Sequence, residues 1–216
     1  MSATLLSVHT GKVAPLGPDG EPSGFVKTRR EGAVDVRELG LEGDEQADLS
    51  VHGGPDKAVY AYAAGHYPAW AAEHPKHAAL FGPGVMGENL AVTGMTEADI
   101  CVGDIHRIGT ALLQACQPRQ PCFKLALRFA DPLMVKAMVK NERAGWYYRV
   151  VQPGRIMAGD SVTLEARPHP DFPFSRLVSL VYRRNPTREE LEAMAKMDGL
   201  ARQWRVQSAL ALRNLS

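Results

Sequence analysis

The sequence is poor in the features by which a chain most readily declares its class. Cysteine is scarce, three in 216 residues (Cys101, Cys116 and Cys122), with no C-x-x-C pair and no even framework. That argues against a zinc ribbon and a disulfide scaffold, and suits a reducing compartment. Net charge is almost absent at +1, so nothing draws the whole chain to nucleic acid or to a membrane surface. No apolar run approaches the roughly 20 residues that span a bilayer. Residues 1–8 lack the charged and long apolar regions of a signal peptide, and a cytoplasmic location is expected. The glycine-rich stretches match neither the dinucleotide fingerprint nor the P-loop, and no flavin, haem or iron–sulfur motif is present. A redox role would need an external electron donor.

What is present is an ordinary globular composition, 45% hydrophobic, enough for one full domain or a main domain with a small appendix. Charge is unevenly spread. Residues 31–60 hold eight acids against Arg37 and Lys57; residues 167–216 hold nine bases against five acids, and this tail reads first as a solvated helical face and second as a weak docking surface for an acidic partner. Strand signals fall at residues 5–10, 33–36, 57–62, 90–92, 111–116 and 145–151, a turn leads into a strand within 101–108 and another within 155–164, and a long loop covers 11–24. Helical spacing appears at 63–73, at 124–129, and after Asp131-Pro132, where Asp caps and Pro starts a helix. Many short strands with Gly/Pro turns and few helices predict a mainly β fold, a closed or nearly closed β-barrel over residues 1–166. A proline-rich linker follows at 167–173. Residues 174–216 then read as a three-helix bundle, with Thr187 and Glu190 spaced as a capping box. Leu177, Leu180, Val181, Leu191, Met194, Leu200, Trp204 and Leu210 supply its apolar stripes. So small a bundle needs to pack against the barrel or against a second subunit, as in a homodimer.

Three clusters carry possible chemistry. The first is Gln117-Pro118-Arg119-Gln120-Pro121-Cys122-Phe123-Lys124, which follows a buried strand. Its prolines stiffen the loop, and Arg119 and Lys124 favour thiolate at Cys122, the form that acts as nucleophile and soft metal ligand. The alternative is a small buried hydrophobe. The second is His52-Gly53-Gly54-Pro55-Asp56-Lys57, which crowds three polar chemistries onto one tight turn; a solvent-facing loop histidine is the other reading. The third is Lys27, Arg29 and Arg30 beside a glycine-rich loop. It reads first as a surface strand end and second as an anion site.

Taken together, Gly40-Leu41-Glu42-Gly43-Asp44-Glu45-Gln46-Ala47-Asp48, the 52–62 stretch, Gly87-Glu88-Asn89-Leu90, the 117–122 loop, Gly145-Trp146-Tyr147 and Gly159-Asp160 resemble the MOSC-domain family, the molybdenum cofactor sulfurase C-terminal domain. The length and helical tail resemble its stand-alone YiiM-type members. The resemblance implies a β-barrel that binds the molybdenum cofactor (Mo-pyranopterin) through one cysteine, here Cys122. It also implies reduction of small N-hydroxylated substrates such as 6-N-hydroxylaminopurine, with electrons from a separate flavin or iron–sulfur reductase. Carried onto this chain, Arg119 would stand beside the metal and Lys27 and Arg29 near the cofactor phosphate. His52 and Lys57 would bind pterin or donate a proton. Asp56, Glu88, Asn89, Gln120 and Lys124 would complete the cofactor-binding set. A carrier of persulfide sulfur or of the cofactor is the alternative function.

Overall fold

A computed structural model describes residues 2–48, 52–183 and 185–215 of the protein. The strands of the first half are β1 (Ala3–Thr10), β2 (Ala14–Leu16), β3 (Glu21–Ser23), β4 (Thr28–Arg30), β5 (Val34–Arg37), β6 (Gly40–Leu41) and β7 (Val59–Ala63). Helix α1 (Tyr67–Glu73) leads to β8 (Leu90–Thr93), β9 (Ile105–Ile108) and β10 (Ala111–Pro118), then to α2 (Phe123–Phe129) and α3 (Leu133–Asn141). Strands β11 (Trp146–Gln152), β12 (Gly154–Ile156) and β13 (Ser161–Ala166) precede α4 (Phe174–Arg183), α5 (Arg188–Lys196) and α6 (Arg202–Asn214).

Seven strands close a barrel in the order β13-β9-β10-β11-β7-β8-β1, with β1 returning to β13 through Ala3↔Val162 and β4 extending β1 at its far end. All pairs are antiparallel except β7 with β8. A parallel pair needs a crossover, and residues 64–89 supply it with α1 and a 3₁₀ turn over Pro75–Leu80. The fold is therefore mainly β with peripheral helices and three C-terminal helices. No helix among the described residues is long and apolar enough to cross a membrane.

The alternation of β7 shows how the barrel builds two cores from one strand. Val59, Ala61 and Ala63 join the barrel interior, while Tyr60 and Tyr62 point outward into a second cluster with Trp70, Leu125, Phe129, Met134 and Met138 under α1–α3. Side chains of a strand alternate across its plane, so a strand covered on both faces buries every residue. The C-terminal helices seal another part of the outer wall. Leu177, Val181, Met194, Leu200 and Trp204 belong to the same apolar cluster as the barrel residues Leu113 and Tyr148. Helix α5 starts with the expected capping box: Thr187 Oγ1 accepts from Glu190 N at 3.2 Å and Glu190 Oε2 accepts from Thr187 N at 3.0 Å.

Several local expectations shift. The 11–24 stretch contains the β2–β3 hairpin rather than loop alone. The turn into β7 is 3₁₀ over Pro55–Lys57, and the strand begins at Val59. Helix α3 starts one residue later than expected, Asp131 Oδ1 accepting from Leu133 N at 3.0 Å. Leu210 leaves the expected stripe and is half exposed.

Candidate functional site

Strand β10 delivers the site. A bulge between Ala115 and Gln117 breaks its pairing with β11 and frees the Cys116 carbonyl, which accepts from Ala201 N at 2.9 Å ahead of α6. The strand ends at Pro118, the Arg119–Pro121 loop turns, and Cys122 stands in extended conformation at the start of α2. Arg119 is buried as the floor of this turn. Its guanidinium lies 4.8 Å from the Phe25 ring centroid and 4.9 Å from that of Tyr60, and Nη1 donates to the Met86 carbonyl. Tyr182 of α4 donates to the Arg119 carbonyl at 2.6 Å, so the loop is pinned from the helical tail as well.

Cys122 opens into a cleft of about 570 Å³, counted out to its solvent mouth, lined also by His52, Lys57, Lys27, Asp44, Asn89, Lys124 and Tyr147. Burial opposes ionisation of the Cys122 thiol. A hydrogen bond with His52, the Arg119 guanidinium and the Lys124 backbone N–H outweigh it and pull the pKa down to about 7. The other thiols are pushed the opposite way: burial drives both Cys101 and Cys116 upward. The His52 Nδ1 atom is buried without a hydrogen-bond partner. Burial also lowers the pKa of Lys57, against the opposing pull of Asp56 and of the two thiols Cys116 and Cys122.

The far wall is a buried polar lattice. Asp44 Oδ1 accepts from Lys27 Nζ at 2.5 Å and from Gly11 N at 2.8 Å, and its Oδ2 accepts from Asn89 Nδ2 at 2.9 Å. Asn89 Oδ1 in turn accepts from Tyr60 N at 3.0 Å. Lys124 Nζ donates to the Pro22 carbonyl at 2.7 Å, tying α2 to the β2–β3 hairpin. At Gly24 a Cβ would lie 2.0 Å from the Glu45 carbonyl oxygen, so the two walls of the cleft meet there backbone to backbone.

Seven of the residues singled out in the sequence thus share one cleft: Cys122, Arg119, His52, Lys57, Lys27, Asn89 and Lys124. Five do not line it. Arg29 and Arg30 lie on exposed β4, Arg29 pairing with Glu31 at 3.4 Å and Arg30 Nη1 donating to Thr10 Oγ1 at 3.0 Å. Glu88 is buried beneath the wall, where Oε1 accepts from Gly84 N at 2.6 Å and from Tyr67 Oη, and burial raises its pKa. Gln120 turns to a separate cavity among Leu180, Trp204 and Ser208 of the helical tail. Asp56 lies on the outer side of the His52 turn, its carboxylate occupied by Arg149 and by the backbone N–H of Arg202. Asp44, Phe25, Tyr60 and Tyr147 also line the cleft without having been given a site role, Asp44, Tyr60 and Tyr147 having entered only as parts of longer motifs. Asp44 sits in the acid-rich turn beside Gly43, and nothing local marks it apart from the exposed acids around it.

A family model described as "MOSC domain" matches residues 48–163. Protein YiiM of Escherichia coli is 43% identical over 162 residues, covering 75% of this chain and 72% of that protein. A Gibberella moniliformis protein named "Reductase" is 39% identical over 183 residues, 84% of this chain but 32% of its own length. Among solved structures, YiiM from Escherichia coli superposes with a TM-score of 0.82 at 30% identity, covering 100% of this chain and 94% of the other.

Proposed function

Because this chain belongs to the MOSC-domain family, we propose that it is an oxidoreductase that holds the molybdenum cofactor through the Cys122 thiolate and reduces small N-hydroxylated compounds such as 6-N-hydroxylaminopurine. The observation that carries this reading is the thiol of Cys122, half-buried in a cation-lined cleft and shifted toward thiolate. The donor set fits the group. A thiolate is a ligand of the right softness for molybdenum. Among the described residues no cluster of three His, Cys, Asp or Glu could hold a metal unaided, so the ion would arrive with ligands of its own. Lys27 and Lys124 each spend one N–H on a protein partner, and an ammonium has three, leaving donors for a phosphate.

When bound, the cofactor supplies the two-electron reduction. The balance is R–NHOH + 2 e⁻ + 2 H⁺ → R–NH₂ + H₂O. The protein's part is to orient the substrate, exclude water and deliver protons. Lys57 suits the last task, because burial lowers its pKa and makes the ammonium a readier acid. His52, already bonded to Cys122, holds the thiolate in place. Arg119 fixes the loop from below. The electrons come from a separate flavin or iron–sulfur reductase.

The test is elemental analysis of protein made in a host that synthesises the cofactor, wild type against Cys122→Ala, followed by assay on an N-hydroxylated base. Near-stoichiometric molybdenum in the wild type, lost in the variant, and turnover by the loaded protein support the reading. A folded wild type that takes up no molybdenum overturns it in favour of a sulfur carrier. That carrier would show labile sulfur on Cys122 without substrate turnover.

A further inference from the structure

The turn that carries His52 and Lys57 is held from outside the barrel. Gly54 has φ +88° and nothing within 4 Å of where its Cβ would be, so it works as a joint, not as a packed element. Two residues further on, Asp56 makes contacts in three directions. Its Oδ1 accepts from Arg149 of β11 at 2.8 Å (Nε) and 2.5 Å (Nη2), and its Oδ2 accepts from the Arg202 backbone N–H of α6 at 2.9 Å. Its backbone carbonyl accepts from Gln117 Nε2 of β10 at 2.7 Å and from Cys116 Sγ at 3.2 Å. Gln117 is itself gripped by α6, its Oε1 accepting from Gln203 Nε2 at 2.6 Å and from Trp204 Nε1 at 3.3 Å. Arg149 is braced by Gln114 at 2.8 Å.

Asp56 therefore lies outside the cleft, while Lys57 beside it and His52 four residues before it line the cleft. We propose that Asp56 is a positioning residue, through which the first turn of α6 sets the place of His52 and Lys57 at the cleft. The C-terminal helices, on this inference, are part of the site's machinery and not a separate appendix to the barrel. The inference concerns the cleft's own geometry and stands whichever cofactor the cleft takes.

One substitution tests the link from the far end. Arg202 is the first residue of α6, its side chain is exposed, and Ala201 before it has φ −56° and ψ 139°. Proline is well tolerated at a first helical position, and an extended preceding residue is what it requires. Arg202→Pro thus deletes the N–H that bonds Asp56 while leaving the helix able to form. The readouts are the ¹⁵N-imidazole NMR signals of His52 and amide hydrogen exchange over residues 54–57. Melting temperature is the control for global damage, and Asp56→Ala and Arg202→Ala are companions. The expected result is displaced or broadened His52 signals and exchange in the turn faster by about tenfold or more in Arg202→Pro and Asp56→Ala. Arg202→Ala, which keeps the backbone donor, should match wild type. Unchanged His52 signals and turn exchange in both disruptive variants would overturn the proposal, as would a uniform rise in exchange across the barrel, which marks a merely structural role.

Discussion

The ionisation of Cys122 can be read directly by alkylation of the cofactor-free protein. The structure sets its pKa at about 7, through His52, Arg119 and the Lys124 N–H acting against burial. Free cysteine titrates near 8.5, so at pH 7 about half of Cys122 is thiolate against about 3% of a free thiol. Nucleophilicity falls with pKa, with a Brønsted slope of about 0.45, which removes a factor of about five from each thiolate. At equal access, Cys122 should react about threefold faster than a free thiol at pH 7 and about fivefold slower at pH 10. The assay is iodoacetamide labelling from pH 5 to 10, followed by mass spectrometry of the Cys122 peptide. The midpoint is the safer readout, because limited access scales every rate alike. Cys101 and Cys116 are buried and shifted upward, so they should stay unlabelled while the protein is folded. In His52→Ala the midpoint should move up, because burial then meets less opposition. A wild-type midpoint at 8.5 or above, or an unchanged one in His52→Ala, would refute the account of the site's electrostatics.

Other substitutions probe the walls and the tail. The Lys27–Asp44 pair is almost fully enclosed, with side-chain exposures of 7% and 2%. Asp44→Ala should cost about 3–5 kcal/mol by stranding a buried ammonium, whereas Lys27→Met with Asp44→Leu should cost clearly less; urea unfolding of both tells them apart. Thr187→Ala removes one half of the α5 capping box and should cost about 1 kcal/mol, or about 2–4 °C in Tm by calorimetry. The Asp131 carboxyl is held well below its ordinary value of 3.8 by His77, the Leu133 N–H and Lys76. A depressed folded-state pKa contributes stability above the unfolded value and loses it as pH falls toward the folded one. The gap in Tm between wild type and Asp131→Asn should therefore be full above about pH 5 and shrink steadily in stronger acid.

What the sequence disclosed followed the range over which each signal acts. The alternation of β7 and the capping box of α5 are local, and both are present, although the strand begins at Val59, two residues later than its pattern placed it. The β2–β3 hairpin was hidden by its own composition: Pro15 faces Pro22 across it, and proline ordinarily demotes a strand. An isolated two-stranded ribbon tolerates the missing donors because no third strand needs them. Cys122 was legible through its stiff loop and charged neighbours. Asp44 and Asp56 were not legible in their observed settings. The partners of the Asp44 carboxylate lie 17, 33 and 45 residues away, and those of the Asp56 carboxylate lie 93 and 146 away. Only tertiary closure makes those carboxylates different from the exposed acids beside them.

That closure runs between distant parts of the chain. Strand β1 completes the barrel by pairing Ala3 with Val162, and until β13 has been synthesised the ring has two open edges, on β1 and on β9. An unpaired edge is a template for another chain, so a nascent polypeptide halted before residue 161 would be at its most prone to aggregate. The ribosome must release almost the whole barrel before any of it is sealed. Efficient production of this protein then depends on how quickly its first strand finds its last, and on what shields the waiting edges in the meantime.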